Sequence, residues 1–370
     1  MRAALARGIQ DIDRYVAVEQ DVKPPTLDSS IDGKTGRPVL ALSNMKHMIV
    51  RVLACALAPG DVRLMTGKTD MFQLPKTGRP YILGSDICGI VTEVQDDENH
   101  FAVGDKVICR FDEPQPHGMC AEYACVQCHL SEKCPEGIPA IEACTLPASA
   151  AAAKRVAMDH ISSGDRVLLL GASGGVGTFM CQYAKLMGAS FLAATTTQKE
   201  LALSLGVDRV IDYRNENWWE LVDEFGESPF DVVVDLVNGR NWQDGACSGT
   251  KVLKKDTKYV QLLSGVETEI DVRGPISLLR LLVGMFTRSS WLYNKLVHPQ
   301  APIWIGPQGL ELNSGDLKSV LDDVEQKRIR VVLDPSSPFP FTTEGVRNAL
   351  KLQKSIHAHG KVVVKIADDK

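Results

Sequence analysis

The sequence predicts an α/β protein of two domains: a doubly wound parallel sheet and a smaller β-rich, barrel-like fold. Three observations carry that expectation. From about Gly164 to Leu263, short apolar runs alternate with amphipathic segments, as strands and helices do in a doubly wound sheet. Before that point, strand-like runs are punctuated by Gly, Pro and Asp. After about Gly315 the chain leaves the sheet rhythm and returns to mixed helix and strand.

The length of 370 residues fits two domains at about 100–200 residues each. With 44% hydrophobic and 24% charged residues, long disorder, collagen and coiled coil are excluded. There are 41 basic and 46 acidic residues, a net charge of −5, and no long basic run. That argues against nucleic acid or an anionic membrane as the main partner. The most apolar stretch, 276–286, is interrupted by Arg280 and is shorter than the ~18 residues a membrane span needs. The first residues carry Arg2 and Arg7, but Gly8, Asp11 and Asp13 follow. A secretory signal needs an apolar core of about 7–15 residues there. A cytoplasmic location is expected, with organellar import as the alternative.

In chain order, residues 2–5 read as the first strand. Residues 24–47 are polar and turn-rich, with Asp32-Gly33, Thr35-Gly36 and Pro38, and read as a surface loop or insertion. Strands are expected at 48–56, at 87–94 after the turn Leu83-Gly-Ser-Asp86, at 103–109 and at 120–126. The ten cysteines include Cys120, Cys125, Cys128 and Cys134, with His129 among them. Strand alternation would turn Cys125 and Cys128 to opposite faces, so they read as buried thiols rather than a zinc clamp. The parallel-sheet strands are expected at 165–170, 190–194, 210–211, 230–235 and 259–263. Helices lie between them at 178–187, 198–205 and 218–225. The return segment reads as helix 317–327, strand 329–332, helix 343–352 and strand 361–366.

The sharpest motif is Leu170-Gly-Ala-Ser-Gly-Gly-Val-Gly177, between a predicted strand and a predicted helix. A pyrophosphate must approach the backbone there, where the helix N-terminus offers N–H groups and a favourable dipole. Gly174 and Gly175 clear that approach, and Gly177 lets helix and strand pack closely. The spacing departs from strict G-x-G-x-x-G, with Ala172 in first place, but the strand–turn–helix context predicts dinucleotide binding. An NAD site places Asp or Glu at the end of the second strand. This chain has Ala194-Thr-Thr-Thr-Gln-Lys199 and no acid before Glu200. Thr195, Thr196, Thr197 and Lys199 suit a 2′-phosphate, so NADPH is the expected cofactor.

With these residues in hand, the chain resembles the zinc-independent medium-chain dehydrogenase/reductases of the quinone oxidoreductase group, near the reticulon-interacting branch. The likeness runs from Met1 to Ile366. It rests on Ala58-Pro-Gly-Asp61, Pro80-Tyr-Ile-Leu-Gly-Ser-Asp-Ile-Cys-Gly-Ile-Val91, Phe101-Ala-Val-Gly-Asp-Lys-Val107, Gly118-Met-Cys-Ala-Glu-Tyr123, Leu146-Pro147, Val210-Ile-Asp-Tyr213 and His359-Gly-Lys-Val-Val363. It implies a GroES-like catalytic domain from residues 1–154 and 314–370, and an inserted Rossmann NADPH-binding domain from 155–313. It also implies no catalytic zinc, because neither Cys nor His stands at Gly60-Asp61 or Gly84-Ser-Asp86, and no structural zinc, because the stretch between Cys109 and Cys120 is too short for that lobe. A homodimer is the family habit.

Carried over residue by residue, the resemblance places Ser173, Gly174, Gly175, Val176 and Gly177 at the pyrophosphate. Thr195, Thr196, Thr197, Lys199 and Tyr213 would surround the adenosine ribose phosphate. Val237, Asn238, Leu263 and Ser264 would lie near the nicotinamide ribose, and Lys361 would approach the cofactor. Asp61, Tyr81 and Ser149 are the expected catalytic residues, Asp61 beside nicotinamide and substrate, Tyr81 or Ser149 as a proton-donating hydroxyl. Ala58 replaces the usual Asn, and Ala152 and Ala153 lie where a Thr is common. The 26–47 insertion and the apolar 278–296 segment are longer than in the shortest members.

The expected reaction is hydride transfer from NADPH to a quinone or to the C=C of an α,β-unsaturated carbonyl. Without a metal to polarise oxygen, positioning and hydrogen bonds must stabilise the developing enolate or hydroquinone. A second reading is an enoyl-thioester reductase, with Arg63 and Lys68 available for a CoA phosphate. A third, from another class, is a non-catalytic NADPH-binding regulatory protein.

Overall fold

The structure, a computed structural model, describes residues 1–27, 46–67, 80–95, 98, 100–111, 118–237, 241–242, 244–262, 275–276, 279, 283, 301–305 and 312–369. Most of the 26–47 insertion and of the apolar 278–296 segment lies outside the described residues, as do Lys68, Asn238, Leu263 and Ser264. The chain forms two compact units, one of Met1–Ala151 and Leu312–Lys370, the other of Ala152–Glu311.

The first unit begins with β1 (Ala3–Ala6), β2 (Val16–Glu19), β3 (His47–Leu57), β4 (Tyr81–Ile82), β5 (Asp86–Val94), β6 (Lys106–Arg110), β7 (Tyr123–Gln127) and β8 (Ser131–Lys133). β1 lies between β2 and β4 in a three-stranded antiparallel sheet. The eleven-residue β3 is the centre of the larger sheet. Its near-continuous apolar run is buried everywhere but at Arg51, as expected of a strand covered on both faces. One edge of β3 pairs with β5, and its first half pairs on the other edge with β7. β5 pairs onward with β6, and β6 with β8. Cys120 precedes β7, and Cys128 opens a short 3-10 turn after it. Burial pushes the Cys125 and Cys128 thiols up to about 12.

The second unit holds β9 (Arg166–Leu170), β10 (Phe191–Thr195), β11 (Arg209–Ile211), β12 (Phe230–Asp235), β13 (Leu253–Gln261) and β14 (Ile303–Ile305). All are parallel, in the order β11-β10-β9-β12-β13-β14. The order reverses beside β9, so a crevice is expected where β9 and its neighbours end. Leu168, Leu170, Val233 and Tyr259 pack one face against Trp218, Phe225 and Trp242. The expected fifth strand at 259–263 in fact starts at Leu253. Its first residues carry the exposed charges of Lys254, Lys255 and Asp256, so the strand does not begin as an apolar run. The helix expected at 218–225 is a 3-10 turn, Trp218–Glu220, and a separate helix, Val222–Phe225.

The return segment brings helix Ser314–Glu325, β15 (Phe339–Pro340), helix Thr343–Lys354 and β16 (Val362–Lys365) into the first unit. β16 completes β3: Val362–Lys365 pair with Leu57 to Ala54 on the half of β3 that β7 leaves free. The strand expected at 329–332 does not form. The backbone touches the sheet at one bridge, Leu333 with Lys361, held by Lys361 N–H to the Val332 carbonyl and Asp334 N–H to the Lys361 carbonyl. Before it, Arg328 and Ile329 turn back to the Asp323 carbonyl, which closes the preceding helix instead of starting a strand.

Candidate functional site

In the second unit, strand register gathers several residues expected to meet the cofactor at one edge. Leu170 lies opposite Thr195 on one side and opposite Asp235 on the other, while Thr195 lies opposite Ile211 and Asp235 opposite Gln261. The glycine turn, the Thr195–Thr197 run, Tyr213 and Val237 all follow directly from these strand ends. The turn is tight because Gly177 has no side chain: a Cβ there would lie 2.1 Å from the Gly171 carbonyl oxygen and 2.8 Å from that of Ala172. Gly174 differs. A Cβ there would meet only the Gly171 oxygen, at 3.8 Å, so its bareness leaves room outside the chain rather than inside the fold. No side chain caps the helix Gly177–Leu186 that follows. An open turn and an uncapped helix N-terminus fit a pyrophosphate.

The threonines do more than line that edge. Thr195 Oγ1 accepts from Gly171 N–H at 2.9 Å and so ties the end of β10 to the glycine turn. Thr196 is buried, and its Oγ1 accepts from Gln198 N–H at 3.0 Å. Thr197 is half-buried and Lys199 exposed at the first residue of its helix. Tyr213 is 52% exposed and Val237 56% exposed. Ser173, Gly175 and Val176 are half-buried in the turn. Two further residues brace the edge. Buried Asp235 accepts from Val237 N–H at 3.0 Å and from the Tyr259 hydroxyl at 2.6 Å.

In the first unit, Lys361 and Ser149 meet although 212 residues separate them in sequence. Lys361 Nζ donates to Ser149 Oγ at 2.7 Å, and both residues are buried. Ser149 sits in a single π-helical turn, Leu146–Ala150, a local widening that is frequent at functional sites. Asp61 has a different employment. Its Oδ2 accepts from Ala58 N–H at 2.8 Å and its Oδ1 from Gly84 N–H at 2.9 Å. It therefore caps the helix Pro59–Thr66 and anchors the Gly84 turn, where φ is +87° and a Cβ would press on Cys55 Sγ at 2.5 Å. Burial pushes the Asp61 carboxyl up, against the opposing pull of the Ala58 and Gly84 N–H groups and of Lys361. Tyr81 lies in β4, buried in the apolar core with Val16 and Leu83.

In sequence, Asp86 ends a turn and belongs to the segment that resembles the family's strand entry. The structure buries it at 1% exposure, and neither carboxylate oxygen has a hydrogen-bond partner among the described residues. Burial pushes its carboxyl up to about 6; Lys361 and Arg110 pull the other way, and Asp61 adds to the rise. Register explains the neighbourhood. Asp86 lies opposite Arg110 on β6 and opposite Ala56 on β3, which in turn lies opposite Val363. Lys361, two residues before Val363, falls on the same face. The sequence signal is an acid at the head of a strand whose next five residues, Ile87 to Val91, carry no polar side chain. Among the described residues, no three His, Cys, Asp or Glu are grouped to hold a metal ion.

Comparison with known proteins adds to this picture. Residues 44–160 match the alcohol dehydrogenase GroES-like domain, and 205–364 match a zinc-binding dehydrogenase domain. A chloroplastic NADPH-dependent alkenal/one oxidoreductase of Arabidopsis thaliana is 30% identical over 329 residues, covering 86% of this chain and 72% of that protein. The mitochondrial NAD(P)H oxidoreductase RTN4IP1 of Bos taurus is 30% identical over 345 residues, covering 86% of this chain and 82% of that protein. The fold resembles the Escherichia coli quinone oxidoreductase complexed with NADPH, with a TM-score of 0.74, 18% identity, and 99% and 100% of the two chains covered.

Proposed function

The chain belongs to the medium-chain dehydrogenase/reductase superfamily, and on that premise we propose that it is an NADPH-dependent oxidoreductase. Its acceptor is a quinone or the C=C of an α,β-unsaturated carbonyl. One observation carries this reading. The open glycine turn, the Thr195–Thr197 run, Lys199 and Tyr213 follow adjacent strand ends, and no carboxylate ends β10. The alkenal/one reductase among its relatives supports the acceptor class.

In this reading Ser173, Gly174, Gly175, Val176 and Gly177 hold the pyrophosphate. Thr196, Thr197, Lys199 and Tyr213 hold the 2′-phosphate end. Thr195 acts mainly through the glycine turn it ties, and Asp235 orients Val237 at the nicotinamide end; Asn238, Leu263 and Ser264, outside the described residues, belong to the same proposed set of contacts. NADPH supplies a hydride when bound. Ser149 offers the hydroxyl that receives the acceptor's oxygen, held in place by Lys361. Asp61 keeps the Ala58 and Gly84 backbone rigid. Tyr81 serves that hydroxyl role less well, because it packs in the apolar core. A homodimer and a cytoplasmic location complete the proposal; light scattering and cell fractionation test them. Among the described residues, no helix is long and apolar enough to cross a membrane.

The test is product identity. Incubated with NADPH carrying deuterium at C4 and an open-chain enone, the protein should yield the saturated ketone with deuterium on the β-carbon. An allylic alcohol as product would refute attack on the C=C.

A further inference from the structure

We propose that Ser149, Lys361 and Asp86 form a proton-delivery relay, in which Ser149 touches the acceptor's oxygen while Lys361 and Asp86 act through it. The relay rests on the reductase reading for its reaction and adds the source of the proton. Lys361 Nζ donates to Ser149 Oγ at 2.7 Å in a buried site. A hydroxyl that accepts such a bond keeps its own proton to give, and an ammonium group cannot take it. Ser149 is thus set to donate elsewhere. Lys361 is fixed in place, because its N–H donates to Val332 O at 2.9 Å and its carbonyl accepts from Asp334 N–H at 2.9 Å and from Ser337 Oγ at 3.3 Å.

Asp86 supplies the third part. A fully buried carboxyl with no hydrogen bond is costly, and a protein interior rarely leaves one without a use. Its strand face carries Arg110 directly opposite and Lys361 beyond Ala56 and Val363. The charged and titratable groups that act on it are Lys361, Arg110 and Asp61, and it acts in turn on the Cys144 thiol. The Asp86 carboxylate attracts the Lys361 side chain across this face and helps hold it toward Ser149, a hold that protonation of Asp86 removes.

The chemistry balances without a further reagent. Once hydride has reached the β-carbon of an enone, the former π pair rests on the carbonyl oxygen. The Ser149 O–H bond breaks as the new substrate O–H bond forms. A Lys361 Nζ–H bond breaks as the Ser149 hydroxyl is remade. Nζ recovers its proton from water when the enol leaves. Each turnover consumes one hydride from NADPH and one proton from solvent.

The test uses the full chain. With NADPH and an enone, Ser149→Ala should lower kcat about 100-fold and Asp86→Asn about tenfold, with NADPH affinity unchanged. The kcat profile of the wild type should fall on its acid side near pH 6, to which burial pushes the Asp86 carboxyl, and Asp86→Asn should lose that limb. A second arm needs no turnover. The infrared C=O band of protonated Asp86, identified as the difference between wild type and Asp86→Asn, should titrate at higher pH in Lys361→Met and stay in place in the charge-keeping Lys361→Arg. Wild-type kcat in Ser149→Ala, or a band indifferent to Lys361→Met, overturns the relay. If the wild type reduces no acceptor, the reductase reading fails, and the infrared arm still decides whether Asp86 and Lys361 act as one unit.

Discussion

Replacing Asp86 by Asn should stabilise the protein at neutral pH while slowing it. The carboxyl is buried without a hydrogen bond, and its folded-state value is about 6 against an ordinary 3.8. That displacement corresponds to about 3 kcal/mol. The sign follows from which state holds the proton more tightly. A carboxyl raised on folding binds its proton better in the folded chain, so the fold is penalised wherever the group must ionise. The penalty is nearly absent below pH 3.8, grows between there and about 6, and is complete above 6. Asn has nearly the same shape and cannot ionise, so it matches the protonated acid. Variant and wild type should therefore melt together near pH 4 and diverge as pH rises, the variant gaining up to about 3 kcal/mol by neutral pH. At ~2–4 °C per kcal/mol for units of this size, that is roughly 6–12 °C in Tm. Scanning calorimetry of both proteins in steps of pH reads the difference. A difference that does not change with pH, or a variant less stable than wild type at pH 7.5, would refute the reasoning.

Three other substitutions probe the second unit. Gly177→Ala places a Cβ 2.1 Å from the Gly171 oxygen, so the backbone must move; stability should fall by about 1–3 kcal/mol and NADPH affinity with it, by calorimetric titration. Tyr259→Phe removes the buried 2.6 Å bond to Asp235 and should cost about 1.5–3 kcal/mol in urea unfolding. Lys199→Ala should leave Tm unchanged, because the side chain is exposed, yet reduce the preference for NADPH over NADH about tenfold.

The parallel sheet was legible because its strands are covered on both faces. Leu168–Leu170 and Val232–Val234 are unbroken apolar runs, and all six residues are buried. The glycine turn was legible because its chemistry is local, all of it within eight residues of chain. The misses share the opposite cause. Leu253–Lys258 carries exposed charges, and its pairing partners, Phe230 and Val232 of β12 and Ile303 of β14, lie far from it in sequence. Ile329–Val332 has strand composition but finds the sheet at a single bridge. Asp86 reads as a turn acid in sequence. Its meaning comes from Arg110 on the neighbouring strand and from Lys361 at the far end of the chain, which no local pattern connects. Asp61 shows the same limit from the other side: its place in the turn was readable, but not that both its oxygens would be taken by backbone N–H groups.

The most direct measurement of the central claim is NADPH oxidation by the purified protein against an acceptor panel. The panel is 9,10-phenanthrenequinone, a long-chain enal, an enone and crotonyl-CoA, each repeated with NADH. The account predicts turnover of the quinone, the enal or the enone with NADPH, and much less with NADH. Preference for NADH would contradict the reading of Thr195–Lys199. Turnover of crotonyl-CoA alone would move the acceptor to thioesters, and tight NADPH binding with no turnover on any acceptor would contradict the assignment as an enzyme.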